Sequence, residues 1–431
     1  MPRGTKAQPA STNISGSFDG PVKDIFVDVD GSIYVGGLFS SVSGVSANNI
    51  AIFSNDHWAA LADGTDDEVS AIARLDQSIA VGGWFTIAGS EVAGNFAEWT
   101  GSSWIPGPEF LGRYVSTLKP IQSDLIVAGH FIAIDDEPRL GIARRTADGW
   151  ESIGEGLAPL PGNEYPSPYA VGVVGDSIVV GGHVASASDS AFEYLGLWDG
   201  TRWTAFGEPD GIVTAIHVAG PDEIYVGGGF TRIGQVEAKR VAMWNGSAWE
   251  PLGSGFNNQV EAFAKLDERL FAAGAFTATG SEGVNYIAEW TGARWVGLGS
   301  GANGGIEDLV VYDDRLIVGG HFTMFNGQPA VHFVDFDPST PGSSESAKEE
   351  TCDAIAYPNP SSGMVTIEVG GRDRWTWIAV FDISGRHVMT SDEFYSPATV
   401  ALDLRNLSSG TYAVRVGDAR CRSTVIFITL S

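Results

Sequence analysis

The sequence predicts an all-β protein, a seven-bladed β-propeller followed by a small Ig-like β-sandwich. The first observation is a motif, apolar-x-Val-Gly-Gly-x-Phe, that occurs seven times with small variations and is complete in residues 224–230. Its second glycine is Gly37, Gly83, Gly129, Gly182, Gly228, Gly274 and Gly320, at intervals of 46, 46, 53, 46, 46 and 46 residues. A period near 45 residues is typical of propeller blades.

The second observation is a set of aromatic residues that repeats with the same period. The predicted third strands end in Phe53, Trp99, Trp198, Trp244, Trp290 and Phe336, with Arg145 as the exception. The predicted fourth strands carry Trp58, Trp104, Trp150, Trp203, Trp249 and Trp295. Because these residues recur in blade after blade, they indicate packing between blades rather than a sugar-binding site. The glycine pairs, which lack Cβ atoms, allow strands to approach closely and neighbouring sheets to nest.

Each repeat has room for four antiparallel strands. In the repeat around Gly228 we predict strands at residues 213–218, 224–230, 240–244 and 249–252, with the hairpin signal Asn245-Gly246 before the last. The seventh repeat stops after Phe336 without a fourth strand. Residues 14–18 resemble residues 252–256, which lead from a fourth strand into the next blade. We therefore expect the propeller to span 11–336, with residues 11–17 completing the last blade and closing the ring.

Composition and charge exclude several classes of function. The formal net charge of −28 argues against nucleic acid and anionic membranes as partners. The sequence contains no apolar run near the ~20 residues that a transmembrane helix requires. The first ten residues have no apolar segment after their basic residues, so we expect that any export signal peptide is absent from this chain. We expect a monomer.

The last part of the chain predicts a second domain. Residues 337–351 are rich in Ser, Pro and Glu and predict a flexible linker before a domain at 352–431. Strands are predicted at residues 365–369, 377–381, 400–404, 412–416 and 424–430, which suggests a small sandwich. Both cysteines, Cys352 and Cys421, lie here. They form a disulfide if the compartment is oxidising, or remain two thiols.

The repeats resemble the kelch-like repeats of secreted bacterial propellers, in the form VGGxF…AxWNGxxWxxLG. This resemblance covers about residues 11–336 and implies a fold rather than a function. Galactose oxidase shares the general architecture, but its copper and cysteine–tyrosine chemistry needs a cysteine in the propeller. This propeller contains none, so that chemistry is not carried over.

The C-terminal motifs resemble the sorting domain of type IX secretion cargo. They are Tyr357-Pro358-Asn359-Pro360, residues 381–388 (FDISGRHV), and the run at 407–412 that includes Gly410 and Tyr412. This resemblance implies export through the type IX machinery of Bacteroidetes-like bacteria, to the medium or to the outer-membrane surface. Family members often end in a strand with a lysine, whereas residues 423–431 carry no basic residue. Cleavage of the domain is therefore an open question.

Candidate ligand-binding residues lie where the repeat is irregular. The 53-residue interval places about seven extra residues at 158–166, between blades three and four. The face of the disc that carries the longer loops is the usual ligand face of a propeller. The residues expected there are Trp84, His130, Asp135, Asp136, Glu164, Tyr165, His183 and Asp189. Histidines and carboxylates on one rim suit a cation, a polar glycan or acid–base work, whereas solvated strand ends would explain them without any ligand.

The sequence shows no P-loop, no HExxH helix, no GxSxG elbow and no dinucleotide-binding motif. We therefore expect a secreted or cell-surface module that binds glycans or proteins, without a cofactor, although a divalent cation would suit the His–carboxylate rim. The alternative is a secreted enzyme, a hydrolase or lyase, that acts on polysaccharide at the face of blades three and four. A role in the structure of the cell envelope is a third interpretation.

Overall fold

The computed structural model describes residues 14–188, 192–339, 354–357, 364–382, 387–390, 394–405, 407–417 and 424–430. The chain forms two compact units, Met1–Ser343 and Ser344–Ser431. The boundary between them falls within the predicted linker at 337–351. Every regular element of the described residues is a β-strand.

The first unit is a seven-bladed propeller whose strands occur in the predicted order. The first strands are Val22–Val27, Val69–Leu75, Phe110–Ile121, Ser167–Val174, Val213–Gly220, Val260–Leu266 and Ile306–Tyr312. The second strands are Ile33–Gly37, Ser78–Gly83, Asp124–Ile134, Ser177–Ser186, Glu223–Gly228, Arg269–Gly274 and Arg315–Gly320. The third strands are Ile50–Ser54, Phe96–Trp99, Ile142–Thr146, Glu193–Trp198, Val241–Trp244, Ile287–Trp290 and Phe333–Phe336. The fourth strands, in blades one to six, are His57–Ala60, Trp104–Pro106, Gly149–Ser152, Trp203–Ala205, Trp249–Pro251 and Trp295–Gly297.

The loops between second and third strands add short pairs of strands. In five blades these are the hairpins Ser41–Val42 with Val45–Ser46, Ile87–Ala88 with Glu91–Val92, Arg232–Ile233 with Val236–Glu237, Ala278–Thr279 with Glu282–Gly283, and Met324–Phe325 with Gln328–Pro329. In blade three, Glu137–Pro138 pairs with the end of the long second strand. In blade four, the inserted link contributes Leu157–Pro159, which pairs with Val184–Ser186 and makes this blade five-stranded. The insertion is therefore built into the sheet.

The innermost strands close the ring. Each first strand contacts the first strands of both neighbouring blades, including blade one against blade seven. Blade seven has three strands among the described residues, and residues 14–17 form no ladder there. The N-terminal segment contacts blade seven through single hydrogen bonds. The Ile14 N–H donates to Asp335, and the Phe18 N–H donates to the Val331 carbonyl. Residues 11–13 of the expected closing strand lie outside the described residues.

The glycine pairs allow close packing, as predicted, and the two glycines of a pair face different neighbours. In all seven blades the first strand carries a one-residue bulge opposite the pair. A Cβ on the second glycine would meet the carbonyl before this bulge, for example at 2.0 Å from the Glu68 oxygen for Gly83. A Cβ on the first glycine would meet the next blade, for example at 2.4 Å from the Val115 side chain for Gly82. The pair therefore permits both close strand approach and nesting of the blades.

The fourth-strand tryptophans connect neighbouring blades, as the repetition predicts. The indole N–H of Trp104 donates to the Leu61 carbonyl of the preceding blade at 3.1 Å, and Trp295 donates to Leu252 in the same way. Trp203 repeats this bond to Ile153. Trp58 donates to Ser15, so the N-terminal segment takes the place of the residues that follow a fourth strand in the preceding blade. The repeated aromatics therefore hold adjacent sheets together.

Among its described residues, the second unit has six strands. They are Ala354–Tyr357, Met364–Asp382, His387–Thr390, Phe394–Asp403, Gly410–Gly417 and Thr424–Leu430. The sequence predicts two strands at 365–369 and 377–381, but the structure has one strand of 19 residues through both. Its first half pairs with Ala354–Tyr357 and Phe394–Asp403, and its second half with His387–Thr390 and Gly410–Gly417. The Ig-like form of this domain stays a prediction.

Candidate binding site

The loop face of the propeller, which carries the inter-blade links and the second-to-third loops, has a repeating framework. In blade two, the carboxylate of Asp66 in the link accepts hydrogen bonds from Thr86 and Ile87 in the following loop. Asp19, Asp210, Asn257 and Asn303 make the same contacts in other blades. Burial raises the pKa of Asp19, but the bonds from Ser40 and Ser41 outweigh it and lower that pKa to about 2. These polar groups are therefore structural.

Blades two to four also carry a row of aromatic rings on this face. Trp84 stacks on Tyr114 with ring centroids 4.1 Å apart, and Tyr114 stacks on His130 at 4.2 Å. Tyr169 lies beyond His130, at 6.0 Å and a tilt of 54°. Trp84 and Tyr169 are 40% and 37% exposed. We call these four residues the aromatic row; its middle rings are covered and its two ends are open to solvent.

A chain of hydrogen bonds continues from the row into the inserted link. The Tyr114 hydroxyl lies 2.8 Å from Nε2 of His130, whose Nδ1 is 3.5 Å from the buried Ser167 hydroxyl. The Asn163 amide donates to Ser167 at 3.3 Å and to Nδ1 of His183 at 2.7 Å. The two histidines predicted as site residues are therefore connected through the link that separates blades three and four.

Burial determines the protonation of the Tyr114–His130 pair. It lowers the pKa of His130 to about 4, and the Arg113 guanidinium lowers it further in the same direction. Burial also raises the pKa of Tyr114 above its ordinary value, as do the nearby Tyr169 and Glu68. At neutral pH the imidazole is thus neutral and the phenol keeps its proton. The pair supplies one hydrogen-bond donor and one acceptor, without a charge.

The predicted residues Glu164 and Tyr165 lie beside this row in the link. The Glu164 carboxylate is 3.6 Å from the Arg113 guanidinium, which also lies 5.7 Å above the Tyr165 ring. Both charged side chains are more than half exposed. The structure therefore brings five of the eight predicted residues into one region: Trp84, His130, Glu164, Tyr165 and His183.

Of the other three predicted residues, two form a hairpin turn and one lies outside the described residues. Asp135 and Asp136 form the two-residue turn between Ile134 and Glu137, with φ of 49° and 62°. Positive φ at both positions is typical of a type I′ hairpin turn, which aspartate tolerates. Asp135 also accepts a hydrogen bond from the Glu109 N–H at 3.1 Å. We assign both residues to this turn. Asp189 lies outside the described residues.

Sequence reasoning missed Tyr114, Asn163, Ser167 and Tyr169. Tyr169 is the bulge residue of blade four, between the paired residues Pro168 and Ala170. Aligning the first strands on the glycine pairs would have shown that no other blade has an aromatic residue at this position. Tyr114 was missed because it lies on the first strand of its blade, whereas its partner His130 lies on the second strand. The useful signal was departure from the repeat.

The seven bulge residues lie at the loop-face ends of the innermost strands and form a ring that we call the channel mouth. They are Lys23, Ser70, Ser116, Tyr169, Thr214, Glu261 and Glu307. Glu307 lies 3.3 Å from Lys23 and 2.8 Å from His321. Among the described residues, Glu261 has no ion pair within 4 Å. The mouth thus carries a tyrosine at blade four and carboxyl groups at blades six and seven.

Burial makes several of these acids weaker. It raises the pKa of Glu261 to about 7, with a smaller contribution from Glu307. Just below the mouth, burial raises the pKa of Asp308 to about 6 and that of Asp24 well above its ordinary value. Asp308 accepts the Ile25 N–H, and Asp24 accepts the Ile72 N–H, so each carboxylate connects its blade to the next. Within the described ranges, no cluster of three or more His, Cys, Asp or Glu side chains fits a metal ion.

Comparisons with known proteins identify parts of the chain. Residues 355–428 match the model of the secretion system C-terminal sorting domain. Residues 30–56 match a β-propeller domain of unknown function. A search of curated proteins finds no match. No helix among the described residues is long and apolar enough to cross a membrane.

Several solved structures are similar to this chain at low identity. The computationally designed Ika8 protein is 13% identical, with a TM-score of 0.43, and the match covers 74% of this chain and 98% of that one. The WD40 propeller domain of Doa1 is 11% identical, with a TM-score of 0.45, over 75% and 95% of the two chains. A fungal alcohol oxidase of the AA5 family, in complex with copper, is 10% identical, with a TM-score of 0.44, over 97% and 99%.

The sorting domain and the propeller are both as predicted. The protein is a β-propeller that is exported through a type IX sorting domain, to the cell surface or the medium. The kelch-like type of the repeat stays a prediction. Tyr357 and Tyr412 of the sorting motif lie in described strands, and the Tyr412 hydroxyl donates to the Ser408 carbonyl at 2.8 Å. Pro358, Asn359, Pro360, Cys352 and Cys421 lie outside the described residues.

Proposed function

We propose that the propeller is an extracellular glycan-binding module whose binding site is the aromatic row. The observation that carries this proposal is the exposed end of the stack, where Trp84 has one face against Tyr114 and is 40% exposed. An indole held in place by stacking loses little conformational entropy when it binds a ligand. Tyr169, at the other end of the row, provides a second exposed ring.

The chemistry of a sugar fits such a surface. The face of an aromatic ring carries negative charge density, and it attracts the C–H groups on the apolar face of a pyranose. The hydroxyls of the sugar need hydrogen-bond partners, which side chains of the link and the channel mouth provide. A protein partner would need a broader surface, of about 800 Å², whereas the row has only two exposed rings.

Binding to a panel of soluble polysaccharides tests this proposal. The full chain is mixed with each polymer, and affinity is measured by titration calorimetry and by thermal shift. A ligand at about 100 times its dissociation constant stabilises the folded state by about 2.7 kcal/mol. We expect Trp84→Ala and Tyr169→Ala to weaken binding at least about tenfold, since each removes a stacking partner.

Met324→Ala is the matched control, because Met324 is 36% exposed in a loop-face hairpin of blade seven, outside the row. It should bind like the unmodified chain. Equal affinity in Trp84→Ala and the unmodified chain would place the site elsewhere. Absence of binding to every polymer would refute a glycan-binding role.

One observation favours an enzyme as the second candidate. Tyr114 and His130 form a hydrogen-bonded pair, 2.8 Å apart, of a protonated phenol and a neutral imidazole. Such a pair can take a proton from one atom and return it to another, as a polysaccharide hydrolase or lyase requires. We expect Tyr114→Phe to keep the stack, and hence glycan binding, but to abolish any turnover. Incubation of a bound polymer with excess protein, with no new chain ends detected, would exclude this candidate.

A further inference from the structure

The cationic groups around the aromatic row already have partners. Arg113 lies 3.6 Å from Glu164, and Lys23 lies 3.3 Å from Glu307. Lys23 is the one cationic member of the channel mouth. An anionic ligand group would have to compete with a carboxylate for either cation. The histidine of the row adds no positive charge, since burial keeps His130 neutral above about pH 4.

Carboxylates outnumber cations on the same surface. The mouth contains Glu261 and Glu307, and Glu68 is close enough to raise the pKa of Tyr114. Tyr169 and Glu261 belong to one ring of bulge residues, with only Thr214 between them in blade order. Burial raises the pKa of Glu307, but the contacts with His321 and Lys23 outweigh it and lower that pKa, so Glu307 is ionised at neutral pH and only accepts hydrogen bonds, strongly from hydroxyls. Glu261, whose pKa burial raises to about 7, is about half protonated there and both accepts hydrogen bonds from hydroxyls and donates to them. The whole chain carries a formal charge of −28, which repels polyanions.

We propose that the ligand of the aromatic row is an uncharged oligosaccharide, stacked on Trp84 and Tyr169, whose hydroxyls donate to the carboxylates of the channel mouth. Chains that carry uronate or sulfate groups are excluded by the same carboxylates. This inference rests on the proposed function and adds the chemical class of the ligand. Aromatic rings and carboxyl groups that accept hydrogen bonds together suit a molecule with apolar ring faces and many hydroxyl groups.

Salt dependence separates the two ligand classes. The full chain is titrated with a neutral β-glucan, a neutral mannan, alginate and a sulfated galactan, at about 20 mM and about 500 mM NaCl, because exposed charges are largely screened at the higher concentration. We expect at least one neutral polymer to bind with an affinity that changes less than about twofold between the two salts. At the low salt concentration, alginate and the sulfated galactan should bind at least about tenfold more weakly than that neutral polymer.

Two variants make the result specific. Arg113→Ala should leave binding of the neutral polymer within about twofold, since the guanidinium is engaged by Glu164. Trp84→Ala should weaken that binding at least about tenfold. If an anionic polymer binds most tightly and loses affinity in Arg113→Ala or at high salt, the uncharged-ligand inference is wrong while glycan binding stands. If no polymer binds, or Trp84→Ala has no effect, the proposed function fails and this inference fails with it.

Discussion

Two sets of aromatic residues in this propeller have opposite environments. Trp104 and Trp295 recur in the repeat, are at most 8% exposed, and donate hydrogen bonds to the preceding blade. Trp84 and Tyr169 occur in single blades, and each is more than a third exposed. The first set binds blade to blade, and the second faces solvent on the loop face. Aromatic composition alone therefore says little about ligand binding in a repeat protein; periodicity and exposure separate the two roles.

The same comparison predicts that substitutions at the two sets of aromatic residues have different effects. Changes at repeated positions should reduce the free energy of unfolding, since neighbouring blades depend on them. Changes in the aromatic row should reduce ligand affinity and leave stability nearly unchanged.

Trp104→Ala should have the largest effect on stability. The indole is buried between blades two and one and donates to Leu61. Its loss leaves a cavity and removes one of the two hydrogen bonds to the Leu61 carbonyl, which keeps the bond from the Gly64 N–H. We expect a loss of about 4 kcal/mol, within the range for large-to-small changes of buried aromatics. Urea unfolding of the full chain, followed by fluorescence, measures it. A loss below about 1 kcal/mol would contradict the role of this residue between blades.

Gly83→Ala should cost about 3 kcal/mol, because the new Cβ would lie 2.0 Å from a backbone oxygen that cannot rotate away. Gly82→Ala is the matched control: its Cβ meets a valine side chain, and alanine occupies the equivalent position at Ala128 and Ala273. The same unfolding assay should therefore rank Gly83→Ala as clearly more damaging. Equal losses would show that the two glycines are equivalent.

Glu261→Gln should change the pH dependence of stability. Burial raises the pKa of Glu261 to about 7 from an ordinary 4.5, so the folded state disfavours its charged form. This destabilisation is absent near pH 4, grows as pH rises from about 4.5 to about 7, and is complete above that range. We expect the variant to match the unmodified chain at about pH 4 and to be more stable at about pH 8 by on the order of 1 kcal/mol. A thermal unfolding series across pH checks this, and a variant that is less stable at high pH would contradict it.

Trp104→Phe and Trp249→Phe should differ by about 1 kcal/mol, the usual net contribution of one hydrogen bond. The Trp104 N–H donates to a carbonyl, whereas the buried Trp249 N–H has no acceptor among the described residues. Both changes keep an aromatic ring, so the comparison isolates the hydrogen bond. Unfolding curves for the pair measure it; a greater loss in Trp249→Phe would be inconsistent with this account.

Trp84→Ala should have the smallest effect on stability, within about 0.5 kcal/mol, because its ring is substantially exposed and contacts Tyr114 on one side. It should nevertheless cause the largest loss of glycan affinity. A stability loss of several kcal/mol would instead place Trp84 with the repeated, structural tryptophans.

Most of the fold was predictable from the sequence because it repeats. Seven glycine pairs at a near-constant interval indicate seven blades, since each pair satisfies the same steric requirement opposite a bulge. The C-terminal motifs were equally informative, and the match at 355–428 confirms them. The predicted strands at 365–369 and 377–381 are one strand in the structure, because the same neighbouring strand, Phe394–Asp403, pairs with it on both sides of a register shift between Val369 and Arg374.

The candidate site was predictable only in outline. His130 and His183 were recognised from their position after the glycine pairs, but their connection through Ser167 and Asn163 depends on how the inserted link folds back onto blade four. Asp135 and Asp136 form a hairpin turn in the loop after the second strand of blade three, which explains their residue type, and their part in a binding site stays a prediction.

The sequence alone determined the blade number, the order of strands within each blade and the export route, because repeating steric requirements and local motifs specify them. The tertiary structure alone decided which irregular residues meet. Tyr114 and Tyr169 are 55 positions apart in the chain, yet both contact His130. Ring closure around the channel brings first strands of neighbouring blades together, and that placement creates a stacked row with two exposed ends.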